Sequence, residues 1–346
     1  MATAADAATA TPTPFDRARF RKLFLAVMLP MFLAAVDQTL LATATPVISR
    51  ELGGLRETSW LAVAYLLASV VMVSLYGALG DRFGRRKVLG IAILVFATGS
   101  LTCGLAPTLW ALVAARAVQG LGGGGLMTLS QALIGEVVAP RERARNQSYF
   151  AIIFTLASVV GPVIGGLVVH HASWRWLFLI NLPLCALAYW RLSSLGSDDR
   201  TYPAKGKPDA AGIALFALTM ATGLTWLSSA GNRYAWSSPT SLALVAATLV
   251  FGTALILAER RAERPFLPVE LLGLPAVRYA VLTVVGFASA MFAMIFYLPV
   301  YLQLALRSNP AESGLLLLPL TAGIVGGARS PAASSSAPEG QRRFQA

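Results

Sequence analysis

The chain has 346 residues, of which 56% are hydrophobic and 13% are charged. Soluble globular proteins average roughly 45–50% and about 25%, so this composition excludes an ordinary soluble fold and predicts long segments in contact with lipid. The net charge of +12 does not indicate nucleic-acid binding, because the basic residues are scattered over short loops and are not gathered on one folded face. Both cysteines lie within apolar segments, which disfavours a disulfide or a metal site.

Ten apolar segments run along the chain. Their lengths of about 15–30 residues are typical of membrane helices and exceed the strands of about ten residues that build a membrane barrel. Lipid offers no partner to backbone polar groups, which leaves helices as the structure for these segments. They cover residues 23–47, 59–80, 88–106, 109–138, 148–169, 175–193, 210–230, 239–258, 279–304 and 313–327. The predicted fold class is therefore an all-α polytopic membrane protein.

The connections between these segments predict the orientation of the chain in the membrane. With the N-terminus placed in the cytoplasm, the inside segments contain 19 Lys and Arg residues and the outside segments contain 5. This alternation follows the excess of basic residues on the cytoplasmic side of membrane proteins. We therefore expect a multi-pass protein with a cytoplasmic N-terminus.

The two ends of the chain, residues 1–20 and 328–346, lack a pattern that would form structure. The first stretch is expected to be a disordered cytoplasmic tail, because no signal-peptide cleavage pattern follows its basic residues. The second is polar and of low complexity, and it begins where the tenth apolar segment stops. We interpret it as the product of a truncated or frameshifted gene, with a natural cytoplasmic tail as the alternative.

Asp37 is the one acid deep within a predicted span, and Arg116 is the one deep base. Charged groups in lipid are costly, so each marks a candidate functional site. The first span runs outward and the fourth inward, which places both groups in the outer half of the membrane, roughly 10–15 Å from its surface. One interpretation is a buried ion pair that fixes helix packing. The other is that Asp37 gains and loses a proton as its access to either side changes, because burial favours the neutral acid and a nearby arginine favours the carboxylate.

The loop between the second and third spans combines glycines, which permit a tight turn and close helix approach, with charges that anchor it at the cytoplasmic surface. It strongly resembles the signature of the major facilitator superfamily at this position and reads Gly77-Ala-Leu-Gly-Asp81-Arg82-Phe-Gly84-Arg85-Arg86-Lys87. In the family, the acid that matches Asp81 is thought to contact a helix of the second bundle. The candidate gating residues are Gly77, Asp81, Arg82, Gly84, Arg85 and Arg86.

Further segments resemble motifs of the same family. Arg116 and Gln119 belong to a stretch that looks like the motif of the fourth helix whose arginine is implicated in proton movement. A glycine-rich stretch with one proline in the fifth span looks like the motif of drug-exporting antiporters, and such a helix suits close packing and bending. Its residues are Gly161, Pro162, Gly165 and Gly166. Residues 36–46 and 174–183 resemble motifs of the fourteen-span drug:proton antiporter branch.

The resemblance extends from about residue 20 to residue 327 and implies a domain organisation. It implies an N-terminal six-helix bundle at 21–195, a cytoplasmic loop with a two-helix insert at 196–260, and the first two helices of a second bundle at 261–327. In such transporters the substrate cavity lies between two related bundles that rock against each other.

The resemblance also implies a function, which is proton-coupled export of amphipathic, cationic drugs across a bacterial cytoplasmic membrane. The expected partners are a small amphipathic substrate, protons and the lipid bilayer, without nucleic acid; the sequence indicates no particular oligomeric state. The alternatives are an exporter of one metabolite or of a self-made antibiotic, and a remnant that does not transport. The sequence contains no catalytic constellation and no phosphate-binding loop, so we predict no enzyme activity, cofactor or metal.

Overall fold

A computed structural model describes residues 17–53, 57–137, 143–195, 210–231, 233–262 and 269–305. In these ranges the chain forms α-helices joined by short connections, with one 3-10 helix at Val269–Gly273. The helices are α1 (Arg17–Leu52), α2 (Ser59–Phe83), α3 (Arg85–Gly104), α4 (Leu109–Val137), α5 (Arg143–His171), α6 (Trp176–Leu179), α7 (Asn181–Ser193), α8 (Ala210–Ser229), α9 (Pro239–Arg261) and α10 (Pro275–Ala305). The predicted all-α fold class is confirmed.

Nine of the ten predicted spans coincide with these helices, and the tenth, residues 313–327, lies outside the described residues. The main difference is in the sixth span, which is divided at Ile180 into α6 and α7. The sequence gives a physical reason for this break. Pro183 has no N–H to donate to the carbonyl of Leu179, the last residue of α6. The helical hydrogen-bond ladder is therefore interrupted where α6 ends.

Several helices match the length and composition of membrane spans, since a bilayer core of about 30 Å takes about 20 residues. Five described segments are long and apolar enough: Arg21–Leu41, Arg85–Gly104, Trp176–Ser193, Ala211–Ser229 and Pro239–Arg261. A sixth is α2, if its two halves, bent by 42° relative to each other, form one span. The chain is therefore a multi-pass membrane protein.

The glycines of α4 allow this helix to pack very closely against α2 on one side and α3 on the other. A Cβ atom at Gly120 would overlap the backbone carbonyl of Tyr65 on α2, and one at Gly122 would overlap the backbone of Phe96 on α3. Small residues at such contacts let the backbones of two membrane helices come close together. Van der Waals packing can then hold the helices, although lipid is as apolar as their side chains and provides no hydrophobic driving force. The glycine run therefore places α4 between α2 and α3, at the centre of the N-terminal helices.

Two hydrophobic clusters form the core of the helices α1 to α7. One contains Leu33, Phe96 and Leu126, and the other contains Leu40 and Leu112 among its members. The first cluster continues along α1 to Ala34, and the second begins with Ala35 and Val36. The polar groups described below lie where the two clusters meet, so they are enclosed by apolar side chains on both sides.

The helices α8 and α9 form a hairpin with its own polar contacts, and α8 packs against α2. The hydroxyl of Thr248 donates to that of Thr222 at 3.0 Å, and the indole nitrogen of Trp226 donates to Ser241 Oγ at 2.9 Å. After the hairpin, α10 follows the 3-10 helix and exposes large apolar side chains such as that of Phe287. The predicted domain boundaries remain predictions.

Candidate functional site

Asp37 on α1 and Arg116 on α4 form an ion pair inside the bundle. Arg116 Nη1 lies 2.5 Å from Asp37 Oδ2, and the two residues are 1% and 3% exposed. The guanidinium has two further neighbours on α2: its Nε donates to the carbonyl of Leu61 at 3.2 Å, and its Cζ lies 4.3 Å from the centre of the Tyr65 ring. A charge as deeply buried as Arg116 needs such partners, because it has no access to water.

Two amide side chains complete the surroundings of the Asp37 carboxylate. Gln119 Nε2 donates to Asp37 Oδ1 at 2.8 Å, and Asn181 Nδ2 donates to the same oxygen at 3.1 Å. Both amides also donate to Ser100 Oγ on α3, at 2.7 and 3.3 Å. Gln119 Oε1 in turn accepts a hydrogen bond of 2.7 Å from Arg116 Nη1. The network thus joins α1, α3, α4 and α7 through side chains in one connected set of hydrogen bonds.

The network has a chemical asymmetry that bears on proton binding. Asp37 accepts three hydrogen bonds, and its negative charge also attracts the guanidinium of Arg116, which has further acceptors on Leu61 and Gln119. A proton on Asp37 would therefore remove the charge attraction between α1 and α4, while the guanidinium keeps two hydrogen-bond acceptors. Asn181 Oδ1 has no hydrogen-bond partner among the described residues, so the network also contains one unused acceptor.

The structure brings together the two residues that the sequence singled out for their buried charge. It shows the ion pair, which was one of the two interpretations; the exchange of a proton at Asp37 remains a prediction. Ser100 was not predicted, because a hydroxyl within a helix usually bonds to a carbonyl of its own helix and gives no sign of a network. Gln119 and Asn181 lay in segments that resemble family motifs, and the sequence assigned them no role.

The loop between α2 and α3 consists of Gly84 alone, whose φ of 91° favours glycine. Arg85 Nη2 lies 2.8 Å from Asp81 Oδ1, and Arg85 Nη1 lies 3.1 Å from Glu136 Oε1 at the end of α4. The motif therefore connects α2 and α3 to the C-terminal end of α4. Arg86 Nη1 reaches the carbonyl of Leu195 at 3.4 Å.

Two positions in these motifs differ from expectation. Among the described residues, a Cβ atom at Gly77 or Gly166 would have no neighbour within 4 Å, so the close helix approach predicted for these glycines is not found in that part of the structure. Arg82 of the loop motif is exposed, with its Cζ 5.4 Å from the ring centre of Phe83.

The glycine motif of α5 meets α1 at Gly161, where a Cβ atom would overlap Thr39 Oγ1. Gly165 is also buried, as expected for a packed face. The side chain of Pro162 lies outside the described part of the structure. The helices α1 and α5 are therefore in close contact at Gly161.

A second polar cluster lies at the end of α1, beyond its apolar part. Glu51 Oε1 accepts a hydrogen bond of 2.5 Å from Arg175 Nη1, and its Oε2 accepts one of 2.8 Å from Trp174 Nε1. These hydrogen bonds, first from Arg175 and then from Trp174, hold the pKa of Glu51 below its ordinary value of 4.5. The cluster joins the end of α1 to the start of α6, and the sequence had not indicated it.

Ionisable groups buried among apolar helices mark substrate and ion pathways in membrane proteins. The multi-pass helical fold and the buried Asp37–Arg116 pair are therefore those of a membrane transporter. Residues 27–338 match the family described as the Major Facilitator Superfamily. The chain belongs to this family. The prediction that it is a transport protein and not an enzyme is confirmed at the level of the family.

Several relatives are similar in sequence. The chain is 35% identical over 300 residues to the multidrug transporter protein MdtP of Bacillus subtilis, covering 86% of this chain and 55% of that protein. It is 33% identical over 320 residues to the Acurin A biosynthesis cluster MFS-type transporter of Aspergillus aculeatus, covering 89% of this chain and 58% of that protein. The chain thus spans about half the length of these relatives.

Solved structures support the fold. The proton:xylose symporter XylE matches with a TM-score of 0.59 at 13% identity, covering 90% of this chain and 68% of that chain. The human organic anion transporter MFSD10 matches with a TM-score of 0.51 at 18% identity, covering 89% and 84%. At these identities the likeness establishes the major facilitator fold and nothing about substrates.

Proposed function

We propose that this protein exports amphipathic, cationic compounds across a bacterial cytoplasmic membrane in exchange for protons. The observation that carries the proposal is the carboxylate of Asp37, which is buried among apolar helices and paired with Arg116. The names of its relatives, which include a multidrug transporter and a multidrug resistance protein, support the export of drugs. We place the chain in the fourteen-span branch, because the hairpin α8–α9 follows the N-terminal helices as the two-helix insert of that branch would.

Proton binding would act on the contact between α1 and α4. With Asp37 ionised, its carboxylate holds the two helices together through Arg116 and Gln119. A proton that enters from outside neutralises the carboxylate and removes the attraction, while Arg116 keeps the Leu61 carbonyl and the ring of Tyr65. The helix α1 is then free to move relative to α4, which would start the change from the outward-facing to the inward-facing form.

The orientation is part of the same proposal, with the N-terminus and the α2–α3 loop in the cytoplasm. It rests on the distribution of Lys and Arg. A phosphatase that is active only outside the cytoplasm should be active when fused after Trp236, in the α8–α9 connection, and inactive when fused after Leu195. The opposite result would reverse the orientation.

Everted membrane vesicles that contain the chain provide the test of proton exchange. Respiration acidifies their interior, and ethidium, an amphipathic cation, should collapse part of this pH gradient when it is added. Asp37→Asn should abolish the response, because the variant has no carboxylate to carry the proton. Glu270→Gln, the same chemical change at an exposed acid of the 3-10 helix, should leave it intact. The proposal would be contradicted if ethidium released protons from the Asp37→Asn vesicles. It would also be contradicted if ethidium released no protons from vesicles that contain the correctly inserted, unaltered chain.

A second candidate function is the export of one metabolite or of a self-made antibiotic. The similarity to a transporter whose name refers to a biosynthesis cluster favours it. Competition separates the two functions: tetraphenylphosphonium and benzalkonium should both inhibit the ethidium response of a multidrug exporter. A protein that exports a single metabolite should respond to one compound and ignore these cations.

A further inference from the structure

The hydroxyl group of Thr39 lies between two helices. Its Oγ1 is 2.9 Å from the carbonyl oxygen of Val36 on its own helix α1 and 3.0 Å from that of Ala157 on α5. A hydroxyl group has one hydrogen to donate. It can therefore make a full hydrogen bond to one of these carbonyls at a time, and the geometry allows either.

Thr39 lies two residues after Asp37, which on an α-helix places the two side chains about 200° apart. The contacts agree with this spacing, because Asp37 binds Arg116 on α4 and Thr39 binds α5. The helix α1 is thus held from two opposite sides, by a carboxylate on one face and by a hydroxyl on the other. A movement of α1 away from α4 that leaves α5 in place therefore changes the contact between α1 and α5.

The helix α5 can bend near its contact with Thr39. Gly161 leaves no space for a side chain between α5 and Thr39, so the two helices are in close contact. The next residue, Pro162, has no N–H for the carbonyl one turn earlier, and a helix is weakened where such a bond is missing. The Thr39 hydroxyl therefore meets α5 where its backbone is least able to resist bending.

We propose that Thr39 is a positioning residue for proton exchange, whose hydroxyl donates to Ala157 while Asp37 is ionised and turns to Val36 when Asp37 is protonated. This inference rests on the proposed function. Of the two, only the contact with Ala157 joins α1 to α5, so it stabilises the ionised state more than the bond to Val36, within α1, stabilises the protonated state. Its removal should favour the protonated state and move the pH at which the protein changes conformation upward.

The chain offers a matched control on the same helix. The hydroxyl of Thr45 donates to the carbonyl of Leu41, on its own helix, at 2.8 Å. Thr45→Val therefore removes the same hydroxyl group from α1 without removing a bond to α5. Thr39→Ser keeps the hydroxyl and should restore the behaviour that Thr39→Val loses.

A pH titration of this site can report the protonation of Asp37 or of another ionisable group close to it. The groups that face it among the described residues are Arg116 on α4, Tyr65 on α2, Cys103 on α3 and Cys185 on α7. Only a pH response that Asp37→Asn abolishes is therefore assigned to Asp37, which makes that variant the required control.

Cys103 provides a readout that does not require transport, because its Sγ lies 3.5 Å from Gln119 Oε1 inside the network. The experiment measures the maleimide labelling rate of Cys103 against pH in membrane vesicles, in a Cys185→Ala background. The rate at each pH is divided by that of the same chain unfolded in detergent, which removes the intrinsic reactivity of the thiol. In Thr39→Val the midpoint should rise by about 0.5–1 pH unit, roughly a threefold to tenfold change in the equilibrium, as expected for one hydrogen bond.

The outcomes separate the inference from the proposed function. A flat profile in the unaltered chain, or an unchanged profile in Asp37→Asn, would refute proton switching at Asp37 and the inference with it. A second outcome would overturn only the role of Thr39. In it, the labelling rate of Asp37→Asn does not change with pH, while Thr39→Val and the unaltered chain have the same midpoint. Equal shifts in Thr39→Val and Thr45→Val would also overturn it, because the loss of any hydroxyl on α1 would then suffice.

Discussion

Replacement of Asp37 by asparagine leaves the guanidinium of Arg116 buried without a counterion. Removal of one partner from a buried ion pair costs about 3–5 kcal/mol, because the remaining charge has neither water nor an opposite charge nearby. Arg116 is only 1% exposed, so water cannot replace the carboxylate. It does keep acceptors on Leu61 and Gln119. We therefore expect a loss at the lower end of the range, about 3 kcal/mol.

Thermal unfolding of the purified chain in detergent measures this loss. A dye that fluoresces when it reacts with thiols reports unfolding through Cys103 and Cys185, which are both buried in the folded protein. For a bundle of this size, about 3 kcal/mol corresponds to a melting temperature roughly 6–12 °C lower. Asp81→Asn is the matched control, because its carboxylate is 51% exposed in the pair with Arg85 and contributes under about 1 kcal/mol.

A double variant tests whether the loss comes from the unpaired charge. Asp37→Asn combined with Arg116→Gln contains neither charge, so it should melt at a higher temperature than Asp37→Asn alone. If the losses of the two single variants simply add, the two residues do not interact in the way the structure indicates. An Asp37→Asn variant that melts together with the Asp81→Asn control would refute the reasoning outright.

The same unfolding assay checks three other predictions. Ser100→Ala removes the acceptor of two buried amides and should cost about 1–3 kcal/mol, whereas Thr98→Ala, at a hydroxyl bound to its own helix, should have little effect. Gly120→Ala should destabilise by about 1–3 kcal/mol through overlap with α2, while Gly135→Ala, with nothing within 4 Å, should not. The lowered pKa of Glu51 means that its contribution to stability is full above pH 4.5 and is lost as the pH falls through the lowered value. Glu51→Gln should therefore melt with a weaker dependence on acid pH; an unchanged dependence would contradict this.

The fold could be predicted from the sequence because each of its main determinants is local. Apolar runs of span length give the helices, and the single residue Gly84 between two charged helix ends gives the turn from α2 to α3. The break at Ile180 was missed although its cause, Pro183, is visible in the sequence. A proline inside a membrane span is often tolerated, because other groups can satisfy the freed carbonyl, so the residue alone does not fix the break.

The site could be predicted only in part, because several of its hydrogen bonds join residues that are far apart in the sequence. Asp37 and Arg116 stand out because a charge in lipid always requires a partner. Ser100 does not, because a hydroxyl in a helix usually bonds to a carbonyl of its own helix, as Thr98 does with Leu94. Ser100 instead bonds to Gln119 and Asn181, which lie 19 and 81 residues away in the sequence, and only the packing of the helices brings them together. This information is absent from any local pattern.

The charge of the network suggests why a proton and a cation would exchange. With Asp37 ionised, the carboxylate and Arg116 together are neutral, and the amides around them add no charge. Protonation leaves the net charge of Arg116, which repels a cation roughly 10 Å away by about 1.7 kcal/mol at an effective dielectric constant of about 20, or roughly 15-fold in affinity. Linkage makes the effect reciprocal, so a bound cation would disfavour the proton equally. Ethidium should thus bind more weakly when Asp37 is protonated than when it is ionised, and an affinity that does not change with pH would show that the proton and the cation do not compete through this pair.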